Sequence, residues 1–388
     1  MKKILSLVLV IALVLGSFSF AFAATPADVV GEDYEEAVEV LMALGVVNGY
    51  PDGTYKPERV VTRAEMAKLL VEALGYGQLA GGTAPYSDTA GHWAAGSIGL
   101  ASGIGLVQGY PDGTFKPDAT VSFDEAVTMI LRALGYTDES LRGAWPTNYK
   151  IKAIDLGLYD DTSAQTGGAD RGNVTIMLFN ALEQLIVEVK EGVASAVVPN
   201  RTLVSKIGAF KTATISADDL EDLDTAIDLL PYLYHEIEYY ENKDGEVAYV
   251  SKIVTKSFVG EVTASGTNTI TVKPATGDSK IFTTTGTPLF YNGEEVAASV
   301  KVATDLDITG RATVTVVYSG TAGTSATVKG VVAEEFAVRQ ISTEYSVRRP
   351  LRLDGASGIV LPDDDGDLDL SKLTILGDAT TLQEIKED

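Results

Sequence analysis

Arg63 and Arg171 each open an apolar run with helical periodicity, and a guanidinium in that place could hold a carboxylate. The first turn of a helix already attracts anions, because its backbone N–H groups lack partners and the helix dipole is positive there. Arginine adds a planar fork that fits the two oxygens of a carboxylate. The competing reading is a solvated arginine in a weak surface ion pair, with Glu65 as the neighbour of Arg63. Trp93 and Trp145 stand ahead of two other helical runs. Each offers a flat face for a sugar ring and an N–H to donate, or else fills core. Lys56 and Lys116 lie just outside two tight turns, where they either line the same grooves or remain solvated. Asp52 and Asp112, inside those turns, read as turn formers, since a lone carboxylate beside glycine lacks the ladder of oxygens that calcium requires.

The elements that must position these side chains form a repeat. GYPDGTYKP at 49–57 returns as GYPDGTFKP at 109–117. Pro-Asp-Gly is strong turn chemistry, so each copy is a tight loop. Ahead of the loops, residues 34–44 and 93–104 carry apolar residues at helical spacing, Ala37, Val38, Leu41 and Leu44 in the first. Behind them, Thr62-Arg63-Ala64-Glu65 and Ser122-Phe123-Asp124-Glu125 read as capping boxes opening second helices. Those helices present Met66, Leu69, Leu70, Ala73 and Leu74 in one copy and Ala126, Met129, Ile130, Ala133 and Leu134 in the next, and close at Gly75 and Gly135. A decayed third copy runs from Trp145 through Gly157 to Asp170-Arg171-Gly172-Asn173, whose Gly-Asn lacks the reciprocal cap. One copy has too little apolar surface to fold alone, so the pattern predicts one helical domain over about 24–190, with the second helices packed together.

The order Ser87-Asp88, His92-Trp93-Ala94, Gly105-Leu106-Val107-Gln108-Gly109, Asp112-Gly113-Thr114-Phe115 and Pro117 resembles the S-layer homology (SLH) module, and Thr62-Arg63-Ala64-Glu65 resembles its TRAE motif. The resemblance implies three modules in a pseudo-threefold helical spindle. It also implies a partner, the secondary cell wall polymer linked to peptidoglycan and often pyruvylated, through which such modules hold exported proteins on the bacterial surface without a covalent bond. On that basis Arg63 and Arg171 would be the cationic contacts. Copy two has Phe123 at this position, so at least one groove should be weakened or lost.

The chain has 388 residues, no cysteine and a net charge of −24. The length suggests several domains, and without disulfides they must rely on packed cores. The charge argues against nucleic acid and against adsorption to anionic lipid, and an acidic polymer would have to be met through local cationic pockets. Residues 1–23, with Lys2, Lys3, an apolar centre and Ala21-Phe22-Ala23, read as an export signal, so the mature protein is expected outside the membrane, at the cell wall or surface. The expected division is a signal peptide at 1–23, repeats at 24–79, 80–140 and 141–190, a connector with a β-hairpin at 191–255, a β-rich domain at 256–340 and an acidic segment at 341–388.

From Glu191 onward period-two patterns and turn sequences such as Asn242-Lys243-Asp244-Gly245 and Asn292-Gly293 predict an all-β barrel-like or sandwich-like region. It shows no catalytic set: of the two histidines, His92 belongs to the repeat motif and His235 reads as a half-buried strand residue. The acidic loop at 363–369 misses the EF-hand register and reads as solvated. A non-enzymatic surface protein without cofactor is the leading expectation, its β half joining a lattice by self-association, spacing the assembly or binding something outside. A wall-anchored hydrolase and a plain adhesin or spacer are the alternatives.

Overall fold

Six helices carry the first half: α1 (Glu35–Ala43), α2 (Arg63–Ala73), α3 (Ala95–Gly103), α4 (Phe123–Ala133), α5 (Thr147–Asp155) and α6 (Arg171–Ala181). This is a computed structural model, and it describes residues 25–163, 167–190, 193–222, 225, 227–296, 308–309 and 312–335, with short strands at 338–339 and 351–352. The expected signal at 1–23 and the acidic loop at 363–369 lie outside the described residues. Both capping boxes form: the Glu65 amide donates to the Thr62 hydroxyl at 3.2 Å while the Thr62 amide donates to the Glu65 carboxylate at 2.9 Å, and Ser122 with Glu125 repeats the exchange. Such a cap stabilises its helix by about 1 kcal/mol. At α6, Asp170 accepts from the Asn173 amide at 2.8 Å, and the Asn173 side chain donates to the Asp170 carboxylate and accepts from the Ser163 amide instead of capping the Asp170 amide. Gly135 takes a φ of 93°, and a Cβ there would stand 2.0 Å from the carbonyl oxygen of Val187, so both backbone shape and close packing require glycine.

The segments entering α2, α4 and α6 join in a ring of backbone hydrogen bonds. Val61 donates to Ala169 at 2.9 Å, Ala169 to Val121 at 2.7 Å and Val121 to Val61 at 2.9 Å. This ring sets the three second helices side by side, and Met66, Leu70, Ile130, Leu131, Met177 and Leu178 are buried in one core between them. Each helix start is then laid on the loop of another copy: Arg63 donates its amide to Ala119, and Arg171 to Arg59.

Strand pairing begins at β1 (Leu185–Lys190), which follows α6 closely and pairs with β2 (Val193–Thr202). Next comes an antiparallel sheet of β3 (Gly208–Thr214), β4 (Glu236–Asn242) and β5 (Val247–Ile253), in that order. Its Tyr240 and Tyr249 are buried in the helical core. Their hydroxyls donate to Glu183 at 2.9 Å and Glu39 at 3.2 Å, and burial raises both phenols far above their ordinary pKa.

A larger sheet holds β6 (Lys256–Ser265), β7 (Thr269–Lys273), β8 (Lys280–Thr283), β9 (Leu289–Tyr291), β10 (Glu294–Val296), β11 (Ala312–Ser319) and β12 (Thr327–Glu335). Its order is β10-β9-β12-β11-β6-β7-β8, and β9 runs parallel to β12 while the other pairs are antiparallel. Of the barrel-like and sandwich-like forms left open by the sequence, a closed barrel is not formed among the described residues, because β10 and β8, of three and four residues, stand at opposite ends of the sheet and do not pair with each other. His235 also departs from expectation. It precedes β4 instead of lying on it, is 6% exposed, and has Nδ1 2.9 Å from the Thr255 hydroxyl. Burial depresses its pKa to about 4, so it is a neutral packing residue near pH 7. Among the described residues no helix is long and apolar enough to cross a membrane.

Candidate functional site

The two GYPDGT loops are built alike. In copy one Tyr50 and Thr54 close the turn with a 2.7 Å backbone bond while Asp52 accepts from the Thr54 amide and hydroxyl, and Tyr110, Thr114 and Asp112 repeat this in copy two. Both aspartates are the turn formers that the sequence suggests. The Lys56 ammonium and the Thr54 groups hold the Asp52 carboxyl at a pKa of about 2. Sequence reasoning missed one anchor. Asp88 clasps the amides of Phe115 and Lys116, and Asp28 clasps those of Tyr55 and Lys56, at the same offset of 27 residues to the first amide. That shared offset was the available signal. The clasp supports Lys56 and Lys116 at φ of 57° and 56°, a conformation side chains seldom adopt.

Beside the second loop lies a pocket of about 290 Å³, at the small end of the range for small-molecule sites. All three copies line it. Copy one supplies Arg63, copy two supplies Gln108, Gly109 and Tyr110 from its loop and Glu125, Thr128, Met129 and Arg132 from α4, Asp138 follows α4, and Trp145 precedes α5. Arg63 is 4% exposed. Its Nε donates to the Phe115 carbonyl at 2.8 Å, its Nη2 to the Gln108 carbonyl at 2.7 Å, and its Nη1 stands 3.4 Å from Glu125. The guanidinium also lies 4.6 Å from the Phe115 ring and 5.0 Å from that of Tyr110. It is thus neither solvated nor paired with Glu65, which Arg59 holds at 2.7 Å. Trp145 is 53% exposed, and its indole N–H donates to the Thr128 hydroxyl at 3.0 Å, which fixes the ring at the pocket mouth.

Of the residues singled out in the sequence, Arg63 and Trp145 share this pocket, and Lys116 sits 4.1 Å over the Tyr110 ring that lines it. Arg171 and Lys56 instead gather at the first loop, over Tyr50 at 5.4 Å and 4.3 Å. Arg171 also lies 4.2 Å from the Tyr55 ring and donates to the Asn48 carbonyl at 2.6 Å. Trp93 is 62% exposed beside His92, so neither tryptophan fills the core. Phe123, the counterpart of Arg63 in copy two, stacks on Tyr159 of copy three with centroids 5.5 Å apart. Arg132, Thr128 and Asp138 escaped the sequence reading, because comparing the copies position by position sets Glu72 and Asn180 against Arg132, Lys68 and Ile176 against Thr128, and Gln78 and Ile186 against Asp138, with no common residue type.

The model of the S-layer homology domain matches residues 27–67 and 85–127, the stretches that contain α1 with the first loop and α3 with the second. The chain is 41% identical over 197 residues to a middle cell wall protein of Brevibacillus brevis, covering 48% of this chain and 19% of that protein. It is 38% identical over 195 residues to a surface layer protein of Brevibacillus choshinensis, covering 48% and 17%. A cell surface protein of Thermoanaerobacter kivui is 31% identical over 281 residues, covering 65% of this chain and 36% of the relative. The matches span well under half the length of each relative. The loops, clasps and helix starts around the pocket lie in the matched stretches, so the helical part carries S-layer homology domains, and the chain is similar to proteins of the bacterial cell wall and cell surface.

Proposed function

We propose that the helical part anchors the protein to the bacterial cell wall by binding the secondary cell wall polymer, an acidic and pyruvylated glycan linked to peptidoglycan, without a covalent bond. The observation that carries this reading is the pocket itself. In a chain of net charge −24 it brings two guanidiniums, Arg63 and Arg132, and an exposed indole face together around a sugar-sized space. An indole face stacks on a sugar ring, and the two guanidiniums, balanced in formal charge by Glu125 and Asp138, give an acidic chain local donors for an acidic polymer. The ring of backbone bonds through Val61, Ala169 and Val121 supports a pseudo-threefold arrangement of three modules, in which loop, second helix and the preceding copy's arginine form each seat, copy three counting as the one before copy one. The glycan-binding set is then Arg63, Trp145 and Lys116 at the second loop, with Arg171, Trp93 and Lys56 at the first. The β sheets are the structural part, contributing to a surface layer by self-association.

Binding of the whole chain to isolated cell walls, before and after the polymer is stripped, tests the reading. Binding should be lost with the polymer. Equal binding to both preparations would remove the polymer as the partner.

A further inference from the structure

We propose that the outer face of α5 is a contact surface for a second copy of this chain, which seats its own α5 there about a two-fold axis. This contact does not depend on wall binding. The first helices of the three copies differ in what covers them. Counted back from Gly45, Gly105 and Gly157, which follow those helices, the stripe Glu36, Glu39, Met42 in α1 corresponds to Gly96, Gly99, Ser102 in α3 and to Asn148, Ile151, Ile154 in α5. Residues three apart are neighbours along one side of a helix.

Two of these stripes lie under other parts of the chain. On α1 lies β5, whose Tyr249 and Ser251 hydroxyls donate to Glu39 and Glu36, each at 3.2 Å. On α3 lies the connector from copy one. A Cβ on Gly96 would stand 1.7 Å from the Ala80 carbonyl oxygen and one on Gly99 2.3 Å from that of Thr83, while the Tyr86 and Ser102 hydroxyls meet at 2.6 Å. The connector between Gly75 and Trp93 is eight residues longer than that between Gly135 and Trp145. The shorter one reaches only Asn148, buried beside Gly143, and leaves Ile151 61% and Ile154 68% exposed.

Side-chain size selects what can cover that face. Glycine lets backbone lie directly on α3, whereas two isoleucines hold a neighbour off at the roughly 8–10 Å of helix-on-helix packing. The fitting partner is a helix with an apolar ridge, and α5 itself is one. Set antiparallel about a two-fold axis, Ile151 meets Ile154 of the second copy and Lys150 meets its Asp155, so the face is complementary to itself. Within one copy Lys150 pairs with Asp124 at 3.1 Å and Lys152 with Asp155 at 2.5 Å, which leaves these groups without net charge in a chain of −24. Repulsion between acidic copies is least at such a place. Two isoleucines and a charged pair per copy bury well under the roughly 1,000 Å² of a stable interface, so the contact is weak alone and is strengthened where many copies are held at one surface.

The chain has no cysteine, so Ile151→Cys supplies a single thiol for a short bis-maleimide, and Ile281→Cys, at an exposed position on β8, is the control. With the full chain at high concentration, Ile151→Cys should give cross-linked dimer and the control little. Adding Ile154→Asp should lower the dimer yield about tenfold. Adding Lys150→Glu or Asp155→Lys sets like charges across the axis and should lower it severalfold, while mixing those two variants restores opposite charges at both ends of the contact and should recover the yield. A yield no higher than the control, one untouched by Ile154→Asp, or no recovery on mixing overturns the inference. Loss of wall binding in Ile154→Asp with the dimer yield unchanged would assign this face to the polymer and overturn it as well.

Discussion

Arg63 and Arg171 occupy the same place in their repeats, and both are laid over a loop of nearly the same sequence, yet they are held differently. Arg63 has two carbonyl partners, a nearby glutamate and 4% exposure. Arg171 is half-buried and, among the described residues, bonds the Asn48 carbonyl while its buried Nε finds no partner. The difference does not come from the arginines. In the second loop Glu125 is free to face Arg63, because Ala119 stands where copy one has Arg59. In the first loop Arg59 takes Glu65 at 2.7 Å and also donates to Tyr50 at 3.1 Å. A single added arginine thus diverts the carboxylate that its neighbour would have met, and two copies of one motif become unequal seats.

The largest consequence is in stability. Arg63→Ala leaves the buried Phe115 carbonyl and the part-buried Gln108 carbonyl without donors and Glu125 without its cation, and should cost about 2–4 kcal/mol. Arg171→Ala removes one carbonyl bond together with an unsatisfied Nε, and should cost about 1–2 kcal/mol. Urea midpoints followed by far-UV circular dichroism measure both, and equal losses would erase the distinction between the seats. Phe123→Ala bears on the third seat. It strips a half-buried ring from Tyr159 and should cost about 1–2 kcal/mol, while wall binding falls less than in Arg63→Ala.

The sequence made plain what is local. Turn residues, capping boxes and the αL glycines depend on neighbours a few positions away, so Asp52, Thr62, Ser122 and Gly135 were readable with their roles. The hairpins of β4 with β5 and β6 with β7 were readable for the same reason. What stayed hidden depends on distant pairing. The Asp28 clasp reaches across 27 residues, and Tyr249 packs on α1 with its hydroxyl on Glu39, 210 residues away. Alternation tells which residues share a face of a strand but not which strand lies next to it, so neither the open end at β8 nor the parallel β9 could be foreseen. The pocket was half legible. Arg63 and Trp145 carry motif signals, whereas Arg132 and Asp138 become neighbours only when α4 and the segment after it fold back together.

The smallest effect is the most direct test of why the seats differ. Arg59 is largely exposed and its pair with Glu65 lies at the surface, so Arg59→Ala alone should change stability by less than about 1 kcal/mol. It should also release Glu65 to face Arg171 as Glu125 faces Arg63, which makes Arg171 worth more. In a double-mutant cycle Arg171→Ala should therefore cost roughly 0.5–1 kcal/mol more in the Arg59→Ala background than in the wild type, a coupling expected only of residues that share a partner. Additive losses would mean that Glu65 does not turn to Arg171, and that the inequality of the two loops lies in their carbonyls, with Phe115 able to present its oxygen to Nε where Tyr55, tied by its hydroxyl to Thr175, is not.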